Sequence, residues 1–310
     1  MGMTKKFYLH GILLPSGAWI SQLTDTTPAA AVEQICEYAA GAYVPSFRGG
    51  HGAVPEITFT SPQLKTVLDL CGLAGADLSA GNVDLFYRAA TNLGTRAAIG
   101  DGAHIRIRAV RAMMTWDQIT ARQNQLATIG CRIIPTFDGT TPPLVGLGSQ
   151  TIAANLLASQ AYTLGPVKLN GAWIDGSIDW TLNLNPKPND EASDGDAYIS
   201  WAGVERHDPV LSVTPRDLGH WETIGVGGLQ VTACLAYLRK KSADLVGNVA
   251  DANAEHILFS GTDNPCGMAT LEQSSDGSDG AAQIALRVGL RISDAASAHP
   301  LTLNTATAIA

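Results

Sequence analysis

Gly17-Ala18-Trp19-Ile20 returns as Gly171-Ala172-Trp173-Ile174, an offset of 154 residues in a chain of 310. One shared tetrapeptide says little; the matches that follow it in the same order say more. Ala42-Tyr43 recurs as Ala197-Tyr198, and Pro55-Glu56-Ile57-Thr58-Phe59-Thr60-Ser61-Pro62-Gln63-Leu64 resembles Pro209-Val210-Leu211-Ser212-Val213-Thr214-Pro215-Arg216-Asp217-Leu218. His104-Ile105 aligns with His256-Ile257, Arg132 with Arg287, and Pro143-Leu144 with Pro300-Leu301. Collinear matches at a nearly constant offset predict a tandem duplication. The expected units are residues 1–155 and 156–310, with the boundary in the Ala/Ser/Gln-rich stretch around 150–160.

Each unit offers the same order of elements. A strand ends in Gly-Ala-Trp-Ile, and an insertion follows. Then comes an alternating strand, Glu56–Thr60 or Val210–Val213, whose period of two suits a half-buried sheet. Ser61-Pro62 and Thr214-Pro215 place a hydroxyl and a proline where a helix would take its N-cap and first residue, with Asp217 near a capping-box position. Further strands are expected at Val83–Tyr87, His104–Val110 and Arg132–Thr136, with counterparts at Leu229–Leu238, His256–Ser260 and Gln283–Ile292. In His104-Ile105-Arg106-Ile107-Arg108 the alternation sends Arg106 and Arg108 to one face. The insertions differ: Thr27–Ala40 reads as a helix with Pro28 at its first turn and Gly41 as C-cap, and Asn185–Asp196, with two prolines and four acids, reads as a loop. The fold class is therefore mainly β: two tandem copies of a β-sandwich or barrel domain, each with one short packed helix and long insertions.

Composition narrows the function. Charged residues are only 15% and hydrophobic residues 45%, which excludes intrinsic disorder and points to a neutral surface covered by copies of itself. The net charge of -8 is uneven, +1 over residues 1–155 and -9 over 156–310, so no cationic grip on nucleic acid is present. The five cysteines (Cys36, Cys71, Cys131, Cys234, Cys266) are scattered without a CxxC pair and read as buried thiols in a reducing compartment. Lys5-Lys6 followed by Phe7–Leu14 imitates a signal peptide, but His10 interrupts the apolar run and residues 7–20 correspond to mid-chain residues 161–174, so both are expected to be strands. No stretch is apolar enough for a membrane helix, and Lys6 occupies the place a myristoylation signal gives to Ser or Thr.

The chemical motifs are thin. The seven histidines form no HxH, HxxxH or HExxH, and His104 and His256 hold matching strand starts, which favours structural roles. Gly146–Gln150 and Gly94–Gly102 lack the endings of a phosphate loop or a nucleophile elbow and read as loops. Asp190–Asp196 fails the spacing of a calcium loop, and Gln273–Gly280 is another Ser/Asp/Gly loop. Trp19 and Trp173 are expected in the core; Trp201 and Trp221 have no aromatic counterpart in the first unit and suggest a subunit contact. No catalytic, cofactor-binding or metal-binding residue is assigned.

This pattern of low charge, duplicated β-domains each with a Ser/Thr-Pro helix, and variable insertions resembles the major tail (tail tube) proteins of long, non-contractile phage tails. The resemblance implies a structural protein of the virion, made in the bacterial host cytoplasm. It implies rings stacked into a hollow tube through which DNA passes without specific binding, with other tail proteins at the tube ends. Two-domain members form trimers of pseudo-sixfold symmetry, and the family has no catalytic residues and no cofactor. The alternatives are a duplicated β-barrel enzyme of the cupin kind, for which His104 and His256 lack a second histidine, and a capsid or cement protein.

Overall fold

The computed structural model describes residues 6–37, 40, 43–44, 47–90, 95–153, 160–174, 176–193, 195–196, 198–215, 224, 227–242, 247–261, 266–274, 283–289 and 301–309. In the first half the strands are β1 (Lys6–Leu13), β2 (Trp19–Ile20), β3 (Asp25–Glu37), β4 (Phe47–Ser61), β5 (Ala76–Asp77), β6 (Val83–Ala90), β7 (His104–Ala109), β8 (Arg111–Arg122), β9 (Thr128–Thr136) and β10 (Leu144–Gln150), with helix α1 (Leu64–Cys71) between β4 and β5. The second half contributes β11 (Tyr162–Leu169), β12 (Ala172–Ile174), β13 (Ser177–Asn183), β14 (Lys187–Glu191), β15 (Trp201–Arg206), β16 (Val210–Pro215), β17 (Leu229–Val231), β18 (Cys234–Lys240), β19 (His256–Gly261), β20 (Gly267–Ser274), β21 (Gln283–Gly289) and β22 (Leu301–Thr307). The protein is mainly β, as the sequence pattern predicts.

Two five-stranded antiparallel sheets run in one order. The first is β10-β7-β6-β1-β2 and the second is β22-β19-β18-β11-β12. The quoted tetrapeptides close the same hairpin in both: Trp19 lies opposite Leu13 and Trp173 opposite Lys168. Their glycines turn it, with φ of +83° at Gly17 and +85° at Gly171, a region that a Cβ disfavours. A register slip interrupts β1 between Leu9 and Gly11, and another interrupts β11 between Leu164 and Val167.

The remaining strands, apart from a β14–β15 ribbon, form one ten-stranded sheet, β17-β20-β21-β16-β13-β8-β9-β4-β3, with β5 also on β8. Here β3, β4, β9, β8 and β5 correspond to β13, β16, β21, β20 and β17. The halves meet inside this sheet, where Gln118–Arg122 of β8 pairs with Asp179–Asn183 of β13. Between the sheets lies one continuous core. Trp116 of β8 and Trp180 of β13 both meet Phe259 of β19, at ring-centroid distances of 6.1 and 6.4 Å. Large aromatics from both halves thus share one core.

Several expectations need correcting. Residues 27–37 of the predicted Thr27–Ala40 helix belong to β3, which pairs with β4 along its whole length, so cross-strand pairing overrides the alanine propensity. Pro28 survives there because β3 is an edge strand. Helix α1 starts at Leu64, with Ser61 Oγ accepting the Gln63 N–H at 3.1 Å, two residues later than the Ser-Pro signal placed it. Gly146–Gln150 is no loop but most of β10, and the acidic loop at Asn185–Asp196 contains β14, whose Lys187 reaches Glu205 of β15 at 2.9 Å. The expected strand Leu229–Leu238 is two strands, β17 and β18, belonging to different sheets. Gln273 and Ser274 end β20; the rest of Gln273–Gly280, Asp217 and its expected helix turn, and Trp221 lie outside the described residues.

Candidate functional site

A sheet with one face in the core presents the other face outward. Ile57, Phe59, Ile129, Cys131, Trp180, Leu182, Leu211 and Val213 point inward and are buried. Their strand neighbours alternate outward and are short and uncharged for the most part: Thr58 and Thr60 on β4, Thr120 on β8, Thr181 on β13, Ser212 and Thr214 on β16, all half-buried. Adjacent strands place these hydroxyls in rows, with Thr120 opposite Thr181 and Thr181 opposite Ser212. β-Branched threonine suits this use, because it favours the strand while its hydroxyl meets water. The row crosses from one half to the other without a break.

Arg132 on this face is paired. Arg132 Nε lies 3.1 Å from Glu56 Oε1 and 3.6 Å from Asp117 Oδ2. Burial raises the Asp117 carboxyl pKa, and the Arg132 charge works against that rise. Asp117 sits at a register slip in β8, between Trp116 and Gln118, where its carbonyl accepts the Leu184 N–H of the second half at 2.8 Å. Beside it a recess of about 830 Å³ runs under the β14–β15 ribbon, with Lys187, Arg206 and Asp208 on its wall.

Arg106 and Arg108 lie elsewhere. They stand on β7, in the first five-stranded sheet, and both bind Asp84 of β6. Arg108 grips it with two bonds of 2.7 and 2.8 Å, which raise the guanidinium pKa, and Arg106 reaches it at 3.3 Å. The alternation that put the two arginines on one face was legible; their acidic anchor, one strand away, was not. The corresponding positions of the second sheet are Leu235, Leu258 and Ser260.

The matched histidines do identical work. His104 Nδ1 accepts the Ala89 N–H at 3.1 Å and its Nε2 faces the Ala98 carbonyl at 2.9 Å. His256 Nδ1 accepts the Lys240 N–H at 3.1 Å and its Nε2 faces the Ala250 carbonyl at 3.1 Å. An Nδ1 that accepts leaves the proton on Nε2, so each ring donates to a loop carbonyl and ties a loop to a strand. Both rings are fully buried. The described thiols are equally enclosed: burial pushes Cys71 up to about 12 and raises Cys131 and Cys234 as well, far from thiolate chemistry at neutral pH. Among the described residues no three His, Cys, Asp or Glu side chains come together as a metal site, and no helix is long and apolar enough to cross a membrane.

The tryptophans part company with expectation. Trp19 and Trp173 are half-buried outside the core, where Trp19 lies 5.4 Å from Phe86 and Trp173 lies 6.2 Å from Tyr237. Trp116 and Trp180 are the fully buried ones, and Trp116 Nε1 donates to the Gly72 carbonyl at 2.8 Å. Trp201 is exposed on the ribbon strand β15, with its ring over Gly203. Compared with known proteins, the chain matches no family model and no curated sequence.

Proposed function

We propose that this chain is a structural protein of a phage virion, the major subunit of a tail tube, built by tandem duplication of one β-domain. Three chains close into a ring of six similar units. Stacked rings enclose a channel through which DNA passes without being held, and other tail proteins cap the ends. The observation that supports this best is the outward face of the ten-stranded sheet, which runs through both halves and carries rows of hydroxyls, with Arg132 neutralised by Glu56 and Asp117 and Arg287 standing opposite Ser212. A wall of that kind suits a moving polyanion, since retention of DNA depends on uncompensated Lys and Arg that displace counterions. Arg106 and Arg108 are turned to Asp84 on the other sheet and belong, in this reading, at a subunit or ring contact. The experiment is negative-stain microscopy of the concentrated protein: hollow tubes of uniform width are expected, and compact particles without a channel contradict the reading.

A further inference from the structure

The junction between the two halves has two sides, and each side also occurs at a free end of the chain. On one side are β8 and the turn after it. On the other are β13 and the start of β11. Four backbone or side-chain bonds outside the ladder stitch them: Ala127 N–H to Tyr162 O at 2.8 Å, Thr163 Oγ1 to Gln125 O at 2.9 Å, Gln123 N–H to Ile178 O at 2.9 Å and Leu184 N–H to Asp117 O at 2.8 Å. Because the sheets share one strand order, junction residues on β8, β11 and β13 have counterparts on β20, β1 and β3. The histidine bonds fix one register: Ala89 corresponds to Lys240, so Phe7 and Tyr8 on β1 correspond to Tyr162 and Thr163 on β11. Gly75 and Gly228 fix the other. Both have φ above +80°, and a Cβ on either would lie 3.1 Å from a methionine methyl, that of Met113 for Gly75 and of Met268 for Gly228.

Exposure separates the counterparts. Tyr162 and Thr163 are 1% and 7% exposed, against 38% and 40% for Phe7 and Tyr8. Met113 is 8% exposed and Met268 is 53%. Phe7, Tyr8 and Met268 are thus bare at positions whose counterparts Tyr162, Thr163 and Met113 are buried beside the internal junction. The strand edges agree. β13 has β8 on its open side, whereas among the described residues β3 is the last strand at one end of the sheet; at the other end β17 pairs with β20 from Gly267 to Ala269, and no described strand pairs with Leu271–Ser274 on that side.

We infer that a second copy of this chain completes the junction, the edge of β3 in one copy pairing with the edge of β20 in the next. In the register of the internal junction, Thr27 faces Ser274 as Thr181 faces Thr120, and Ala29 faces Glu272 as Asn183 faces Gln118. Phe7 and Tyr8 are covered by the neighbour's β20–β21 side, and Met268 by the neighbour's β3–β4 hairpin. The contact is heterologous, two different patches meeting, and such contacts propagate into rings or filaments rather than stopping at a dimer. Pro28 occupies the place of Leu182, whose N–H points toward β8, so the junction between chains has one donor fewer than the junction within the chain. An edge with a missing donor also resists pairing with arbitrary strands.

The inference rests on the self-assembly in the proposed function and not on the phage or the DNA. The test is the full chain carrying Thr27→Cys and Ser274→Cys. Within one chain these positions are seven strand spacings apart, about 4.8 Å each, so any disulfide between them joins two chains. Directly opposed antiparallel residues lie about 4.5–5.5 Å apart at Cα, within disulfide reach. Expected are covalent multimers on a non-reducing gel after mild oxidation. Adding Met268→Glu should cut their yield at least tenfold while circular dichroism stays unchanged. Thr120→Cys with Thr181→Cys is the internal control and should close within the chain. If the control closes and tubes form but no interchain bond appears, this junction is wrong and the tube reading stands. If the protein sediments strictly as a monomer at every concentration, both fall.

Discussion

Tyr162 and Phe7 begin corresponding strands, yet one is sealed in the molecule and the other faces solvent; Met113 and Met268 differ in the same way. Nothing local accounts for this. Each pair shares its strand pairing, and the methionines share the glycine beside them. The difference is whether another β-unit lies alongside. Burial at these positions follows whether the other half lies alongside, and in the proposed assembly a neighbouring chain supplies that cover for Phe7 and Met268.

That comparison can be probed in order of expected effect. Trp116→Ala or Phe259→Ala empties the core that the halves share and should cost about 3–5 kcal/mol. Calorimetry should then show the whole chain melting earlier in a single transition; loss of only one of two transitions would mean that the halves fold independently. Met113→Ala should cost about 2–5 kcal/mol in urea unfolding, because it opens a buried site. Its twin, Met268→Ala, should stay within about 0.5 kcal/mol for the isolated chain, as exposed substitutions do. Equal losses at the two methionines would erase the contrast.

His104→Ala and His256→Ala should each cost about 1–3 kcal/mol, the penalty for leaving a buried backbone group without its partner. Since the bonds are the same in both halves, the two losses should agree closely, and a one-sided effect would show that the correspondence is only geometric. The smallest effect concerns acid. Arg239 donates two bonds to the exposed Asp251 and holds its carboxyl below the ordinary range. Its folded pKa is depressed, so its contribution is complete above the unfolded value of about 3.9 and fades as pH falls through the lower folded value. Asp251→Asn should flatten only that acid limb of the stability profile and leave neutral pH nearly unchanged.

The class of fold was legible because β-periodicity in Glu56–Thr60 and Val210–Val213 and the repeated Gly-Ala-Trp-Ile turn are local signals. Matched histidines were legible as structural for the same reason. Thr27–Glu37 was misread because alanine and an early proline mimic a helix start, while the partner strand that decides the matter is ten residues away. Gly146–Gln150 and Lys187–Glu191 were misread because glycine and acid content signals loops, although edge strands and ribbons tolerate both. The hydroxyl rows of the ten-stranded sheet left no signal in one dimension. They exist only once β8 and β13 lie side by side, sixty residues apart in sequence.

The most direct test of the account is a cryo-electron microscopy map of the assembled protein at side-chain resolution. It should show a hollow ring of three chains with six similar β-units. Thr58, Thr120, Thr181 and Ser212 should line the channel, and β3 of each chain should run antiparallel to β20 of the next, with Arg106 and Arg108 away from the lumen. Arg106 and Arg108 lining the channel, six fully equivalent units, or chains meeting through a surface other than β3 and β20 would contradict it.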